Sequence, residues 1–232
     1  MALALFSDQH VDIPHPRVDE SVLLVLEDAI HAAWEMLRLT PPATLNLATD
    51  VEETINFHLH EALADRVWNR GVVEGFDEIF FRDIQPAPEV CNYARTKLKY
   101  RPDMLVKLTG RPDTVKPSQD GIFIECKPVD EDHLLAGQYC KRGITRFVLG
   151  RYAWAMQEAL MVGYTRDALD AVVLLQTAFG KTSSTVLPVG DPVLCKKART
   201  TIVSRHRRRF NYEQTGAPAP EIMLRHVWLQ RN

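Results

Sequence analysis

Two carboxylates and a lysine stand at the ends of two apolar runs in the middle of this 232-residue chain. Tyr100-Arg101-Pro102-Asp103-Met104-Leu105-Val106 is followed, after a polar loop, by Gly121-Ile122-Phe123-Ile124-Glu125-Cys126-Lys127. Twenty-one residues separate Asp103 from Glu125, room for a strand, a turn and a second strand. Acids at neighbouring strand ends hold a hard divalent cation through oxygen. Such a cation polarises a phosphoryl oxygen and lowers the pKa of a bound water. A lysine beside it can orient that water or offset charge in the transition state. Strand alternation puts Phe123, Glu125 and Lys127 on one face, opposite Ile122 and Ile124. The same charges would also suit a strand running out into solvent.

The Pro102-Asp103 pair followed by Glu125-Cys126-Lys127 resembles the signature of the PD-(D/E)xK nuclease superfamily. The resemblance implies an α/β restriction-endonuclease-like core, a mixed β-sheet flanked by helices in the order αβββαβ. It further implies a Mg²⁺- or Mn²⁺-dependent endonuclease acting on DNA, with RNA open to the same chemistry. Asp103 and Glu125 would be metal ligands, with the backbone carbonyl of Cys126 as a third oxygen, and Lys127 would be the catalytic lysine. Many members add an acid from the helix before the sheet; Glu52 and Glu53 both stand there, with Glu53 the better match to the motif and the helical stripe not deciding between them. Gln138-Tyr139 does not give the Gln-x-x-x-Tyr spacing of the RecB-like branch.

These residues need a scaffold. Apolar periodicity predicts a helix from Glu20 to Leu39, stopped by Pro41-Pro42, and a second starting near Thr49 or Asp50 as cap and ending before Gly71. Strands are expected over Phe76–Ile84, Tyr100–Leu108 and Gly121–Lys127, with Pro128 ending the third. A helical region is expected from about Asp132 to Tyr164, broken near Gly143 or Gly150. The apolar run Ala171–Ala178 reads as a buried strand, and Ile222–Leu229 as the last one. One domain is expected: residues 1–48 an N-terminal helical extension, 49–178 the catalytic core, and 179–232 a basic segment with the final strand.

Charge is divided unevenly. Residues 1–90 carry 17 acids against 5 Lys/Arg, whereas 91–232 carry 13 against 23. The second part then faces a polyanion, or the two parts complement one another within one body. Lys141, Arg142, Arg146 and Arg151 offer phosphate contacts or simply a solvated helix face. Lys196, Lys197, Arg199, Arg205, Arg207, Arg208 and Arg209 fall in fourteen residues without an acid. That pattern suits salt-dependent nucleic-acid binding. The 110–120 loop and the 196–209 tract are expected to meet the substrate.

Several classes drop out. Four cysteines without CxxC spacing argue against a zinc site or a disulfide framework and for a reducing, cytoplasmic setting. No apolar run reaches the roughly 18 residues of a membrane span, and Met1–Phe6 does not read as a signal peptide. There is no Walker A loop, His-Glu-x-x-His run or G-x-S-x-G elbow. One cleavage centre per chain would cut a duplex as a homodimer or by successive nicks. The rival expectation is a nucleic-acid-binding or scaffold subunit of a larger defence or repair complex, inactive without its partner.

Overall fold

The computed structural model describes residues 11–166, 170–197, 200–213 and 215–231. Helix α1 (Glu20–Leu39) begins where the Asp19 carboxylate accepts the Ser21 amide at 2.8 Å, and it buries Leu23, Leu26, Ile30, Ala33, Trp34 and Leu37. Helix α2 (Glu52–Glu61) has Val51 at its N-cap, without a side-chain cap, and winds on as a π-helix over Ala62–Val67. Neither Thr49 nor Asp50 is that cap; the Asp50 carboxylate accepts instead from the Asn46 amide, 2.7 Å away.

Seven strands form one mixed sheet: β1 (Phe81–Pro86), β2 (Met104–Leu108), β3 (Ile122–Val129), β4 (Glu158–Thr165), β5 (Val193–Leu194), β6 (Ile202–His206) and β7 (Ile222–Gln230). Their spatial order is β1-β2-β3-β4-β7-β6-β5. The first three are antiparallel neighbours, β3, β4 and β7 run parallel, and β6 and β5 are antiparallel again. Between β3 and β4 the chain crosses through helix α3, wound as π over Leu135–Ile144 and as α over Thr145–Val148. Helix α4 (Ala171–Val186) packs beside it. The protein is thus α/β, a seven-stranded mixed sheet flanked by helices. No described helix is long and apolar enough to cross a membrane.

Several further expectations need correction. The 132–164 helical region ends at Val148, and Glu158–Thr165 is a central strand buried along its whole length. A strand covered on both faces has no polar alternation, so its pattern matches that of a buried helix. The reverse happened at Ala171–Ala178, which is the first half of α4. Asp170 caps it through the Val173 amide, and Val173 and Leu174 are exposed. Third, β3 continues through Pro128 to Val129. β2 pairs with β3 only over Ile122–Ile124, so beyond Ile124 one edge of β3 has no strand beside it. The Cys126 N–H points to that bare edge, and so does the Pro128 nitrogen two residues on. Its missing donor breaks no ladder. The expected strand over 76–84 contracts to start at Phe81, and β5 and β6 inside the basic tract escaped the sequence pattern.

Beneath α3 and α4 lies a buried polar chain. Val186 O faces His206 Nδ1 at 2.7 Å, so that nitrogen carries the proton. Ser204 Oγ then donates to His206 Nε2, His226 Nε2 donates to Ser204, and Tyr139 donates to His226 Nδ1, with contacts of 2.7, 2.7 and 2.9 Å. Every group has a partner only if all four bonds run in this direction.

Candidate active site

The bare edge of β3 is where the chemistry gathers. Asp103, immediately before β2, takes the place of a neighbouring strand: its Oδ2 accepts the Cys126 N–H at 2.7 Å. Cys126 N–H and C=O share that side of the strand, so the carbonyl also turns to the open edge, where it accepts from Lys127 Nζ at 2.5 Å. Lys127 Nζ also contacts the Glu52 carboxylate, lies 2.9 Å from Glu125 Oε1 and 3.7 Å from Asp103 Oδ2. Three carboxylates and a backbone carbonyl therefore surround one ammonium.

A second cation and a phenol hold Glu125 from α3 and the turn after it. Arg146 Nη1 lies 2.9 Å from Glu125 Oε1, and the Tyr152 hydroxyl donates to Oε2. Glu125 Oε1 nevertheless receives no well-directed hydrogen bond: Lys127 and Arg146 are near, but neither aims an N–H along its lone pairs. α3 comes close to the strands at Gly143. A Cβ there would stand 2.6 Å from Met161 Cε and 3.6 Å from Lys127 Cγ.

The electrostatics follow from three acids facing two cations in a desolvated place. Burial raises Glu125 to about 7, the Asp103 carboxylate adding to it and Lys127, Arg146 and Tyr152 opposing. Burial also raises Glu52, with Lys127 offsetting part of the effect. For Lys127 burial alone would lower the ammonium, but Glu125, Asp103 and Glu52 outweigh it and hold it above its usual value. The Cys126 thiol is buried and pushed well up, first by burial and then by Asp103, so only its backbone is available to a hard cation.

The site opens into a cleft of about 680 Å³ lined by Glu52, Glu53, Asn56, Phe57, Arg101 and Asp103, among others. Of the two candidate glutamates, Glu52 reaches Lys127, and Glu53 is exposed on the cleft wall. As the side chains stand, no three His, Cys, Asp or Glu among the described residues are grouped to hold a metal. The donor chemistry still fits one: hard oxygens, a carboxylate oxygen left without a proper donor, and more acid than base. Lys127 Nζ lies in the middle of those oxygens.

The basic residues sort differently from the expectation. Lys141 and Arg142 are exposed on α3, next to the Gly143 contact with Lys127. Arg146 is an ion-pair partner of Glu125. Arg208 is buried, its guanidinium donating to the carbonyls of Trp154, Ala153 and Met156. Arg205, Arg207 and Arg209 are exposed, but β6 lies three strands from β3, and register puts Arg205 on the face opposite Glu125. Arg199 lies outside the described residues. The 110–120 loop closes the β2/β3 hairpin at the end away from Asp103, five residues or roughly 17 Å along the strand. Sequence reasoning missed Tyr152 and Arg101; only the position of Arg101, two residues before Asp103, could have drawn attention to it.

Comparison of the chain with protein-family models, with curated proteins and with solved structures gives no match in any of the three.

Proposed function

We propose that the chain is a metal-dependent nuclease that hydrolyses phosphodiester bonds in DNA. The observation that carries this reading is the convergence of Glu52, Asp103, Glu125 and the Cys126 carbonyl on Lys127 at an open strand edge. The order α2-β1-β2-β3-α3-β4, with three antiparallel strands and a parallel fourth, supports a restriction-endonuclease-like core. Asp103, Glu125 and the Cys126 carbonyl would hold Mg²⁺ or Mn²⁺, which when bound supplies Lewis-acid polarisation of a phosphoryl oxygen.

The chain's own residues do the rest. Lys127 orients the attacking water or offsets charge on the phosphate, and Glu52 keeps its ammonium at the site between turnovers. Arg146 and Tyr152 fix the Glu125 carboxylate and limit its rotation. Positioned groups of this kind are worth about 10²–10⁴ in rate. The full engagement of Lys127 by carboxylates favours one second reading: a subunit whose site is rearranged by a partner before it can cut.

The test is purified protein with supercoiled plasmid and linear single strands, in Mg²⁺, Mn²⁺ or EDTA, beside Lys127→Ala. Metal-dependent cutting lost in the variant supports the nuclease and its site. Cutting that survives in Lys127→Ala refutes the site. Salt-sensitive binding without cutting, under every metal, moves the reading to the partner-dependent subunit.

A further inference from the structure

Leading into Asp103 is a segment with a charge pattern of its own: Cys91-Asn92-Tyr93-Ala94-Arg95-Thr96-Lys97-Leu98-Lys99-Tyr100-Arg101 has four basic residues and no acid. It is a closed finger. Val90 and Tyr100 exchange both backbone hydrogen bonds at 2.8 and 2.9 Å. Asn92 ties the tip through its amide to Lys97 O at 3.1 Å and its side-chain oxygen to the Lys97 amide at 3.0 Å. Arg95 turns the tip at φ +51°. The base is pinned to the domain: the Trp154 indole donates to Cys91 O at 3.1 Å, and the Tyr93 ring packs against Trp154, Phe210 and Tyr212.

The rigid finger presents its cations outward. Arg95, Lys97, Lys99 and Arg101 are all exposed. Among the described residues Glu89 is the acid paired with them, to Arg101 at 2.5 Å and to Lys99 at 3.7 Å, leaving the positive charge in excess. The Tyr100 ring has Lys97 Nζ 4.8 Å from its centre and the Arg151 guanidinium 5.7 Å from it. Arg151 follows the helix that carries Arg146, and Arg101 lines the cleft with Asp103. The positive strip therefore ends at the carboxylates.

We infer that the 91–101 finger, with Arg151, is a docking surface for the phosphate backbone of a nucleic-acid strand, which it delivers to Asp103. Pinned backbone and partly fixed cations lower the ordering cost of gripping a polyanion. The fit is to phosphate rather than to bases, so the surface confers affinity without sequence preference. The inference rests on the nuclease reading for what happens at the end of the strip, but binding itself needs no metal.

The test is fluorescence anisotropy in EDTA with a labelled 20-nucleotide single strand over a NaCl series. It compares the wild type, Arg95→Ala/Lys97→Ala/Lys99→Ala, and Arg205→Ala on the far face of the sheet. Loss of three phosphate contacts should flatten the slope of log affinity against log salt by about 2, with affinity at low salt weaker by at least tenfold. The far-face variant should keep the wild-type slope. An unchanged slope in the finger variant, a lost slope in the far-face variant, or no binding by the wild type overturns the inference. Binding through the finger without cutting under any metal would sink the nuclease reading and leave the surface standing. Cutting with finger-independent binding would do the reverse.

Discussion

Two of the buried ion clusters among the described residues differ in how completely their charge is matched. On β7, Arg225 donates to both oxygens of Glu27 on α1, with Thr201 Oγ1 donating to Oε2 at 2.8 Å. Both oxygens of the buried acid have donors, the half-exposed Glu20 lies 3.9 Å from the same guanidinium and is itself paired with Lys197, and helix α1 covers the pair. On β3, three acids meet two bases, one oxygen lacks a directed donor, and a cleft reaches the cluster. A matched cluster under a helix fastens elements together. In the mismatched one beside a cleft, burial raises two of the acids against the pull of the cations, the kind of perturbation that gathers at functional sites.

The largest expected effects separate the two clusters by kind. Asp103→Asn should lower cleavage by 10² or more while stability in denaturant is kept or raised. Arg225→Met strands Glu27 in the interior and should cost about 3–5 kcal/mol, with the folded fraction cutting at the wild-type rate. A stable Arg225→Met protein, or an active Asp103→Asn one, would break the comparison.

A smaller effect concerns pH. Glu125 sits at about 7 in the fold against 4.5 ordinarily, so its protonated form is favoured there. The stability this gives is complete below pH 4.5 and is lost as pH rises through 7, roughly 3 kcal/mol in all. His206 leans the other way. Burial lowers it from 6.5 to about 4, so its contribution is complete above pH 6.5 and is lost as pH falls to 4. Over pH 4.5–6.5 the two oppose each other in the wild type. Thermal melts of Glu125→Gln should show a steeper loss on acidification over that interval; a profile parallel to wild type would refute the assignment.

The smallest effect is geometric. Gly143→Ala sets a methyl group against the flexible end of Met161, which can swing aside, and in ordinary contact with the Lys127 stem at 3.6 Å, so the cost should sit at the low end of overpacking, about 1 kcal/mol. If Lys127 acts at the phosphate, kcat should fall more than KM rises. A change in stability alone would mean that α3 supports the fold and not the lysine.

The legible parts of this chain were those whose physics is local. Residues 20–39 carry a helical stripe and a proline stop, and the helix occupies those bounds. The apolar runs around Met104 and Ile122 read as strands, and the acid and lysine at their ends were visible as charges out of place. Residues 158–165 and 171–178 were exchanged between helix and strand because sheet centrality and helix exposure are tertiary facts. The choice of Glu52 over Glu53 depended on how α2 is rotated against β3. Arg208 was legible as a charge and illegible as a carbonyl clamp, since its three acceptors lie more than fifty residues away in sequence.

The chain of bonds from Tyr139 to Val186 has a spectroscopic consequence. Because the terminal carbonyl can only accept, His206 must be the Nδ1–H tautomer and His226 the Nε2–H tautomer. Two imidazoles a single serine apart are thus chemically opposite, and their ¹⁵N signals should appear as two mirrored pairs. Flipping either ring would set donor against donor or acceptor against acceptor. One helix carbonyl thereby dictates the handedness of a hydrogen-bond circuit that ties α3, β6, β7 and the end of α4 together.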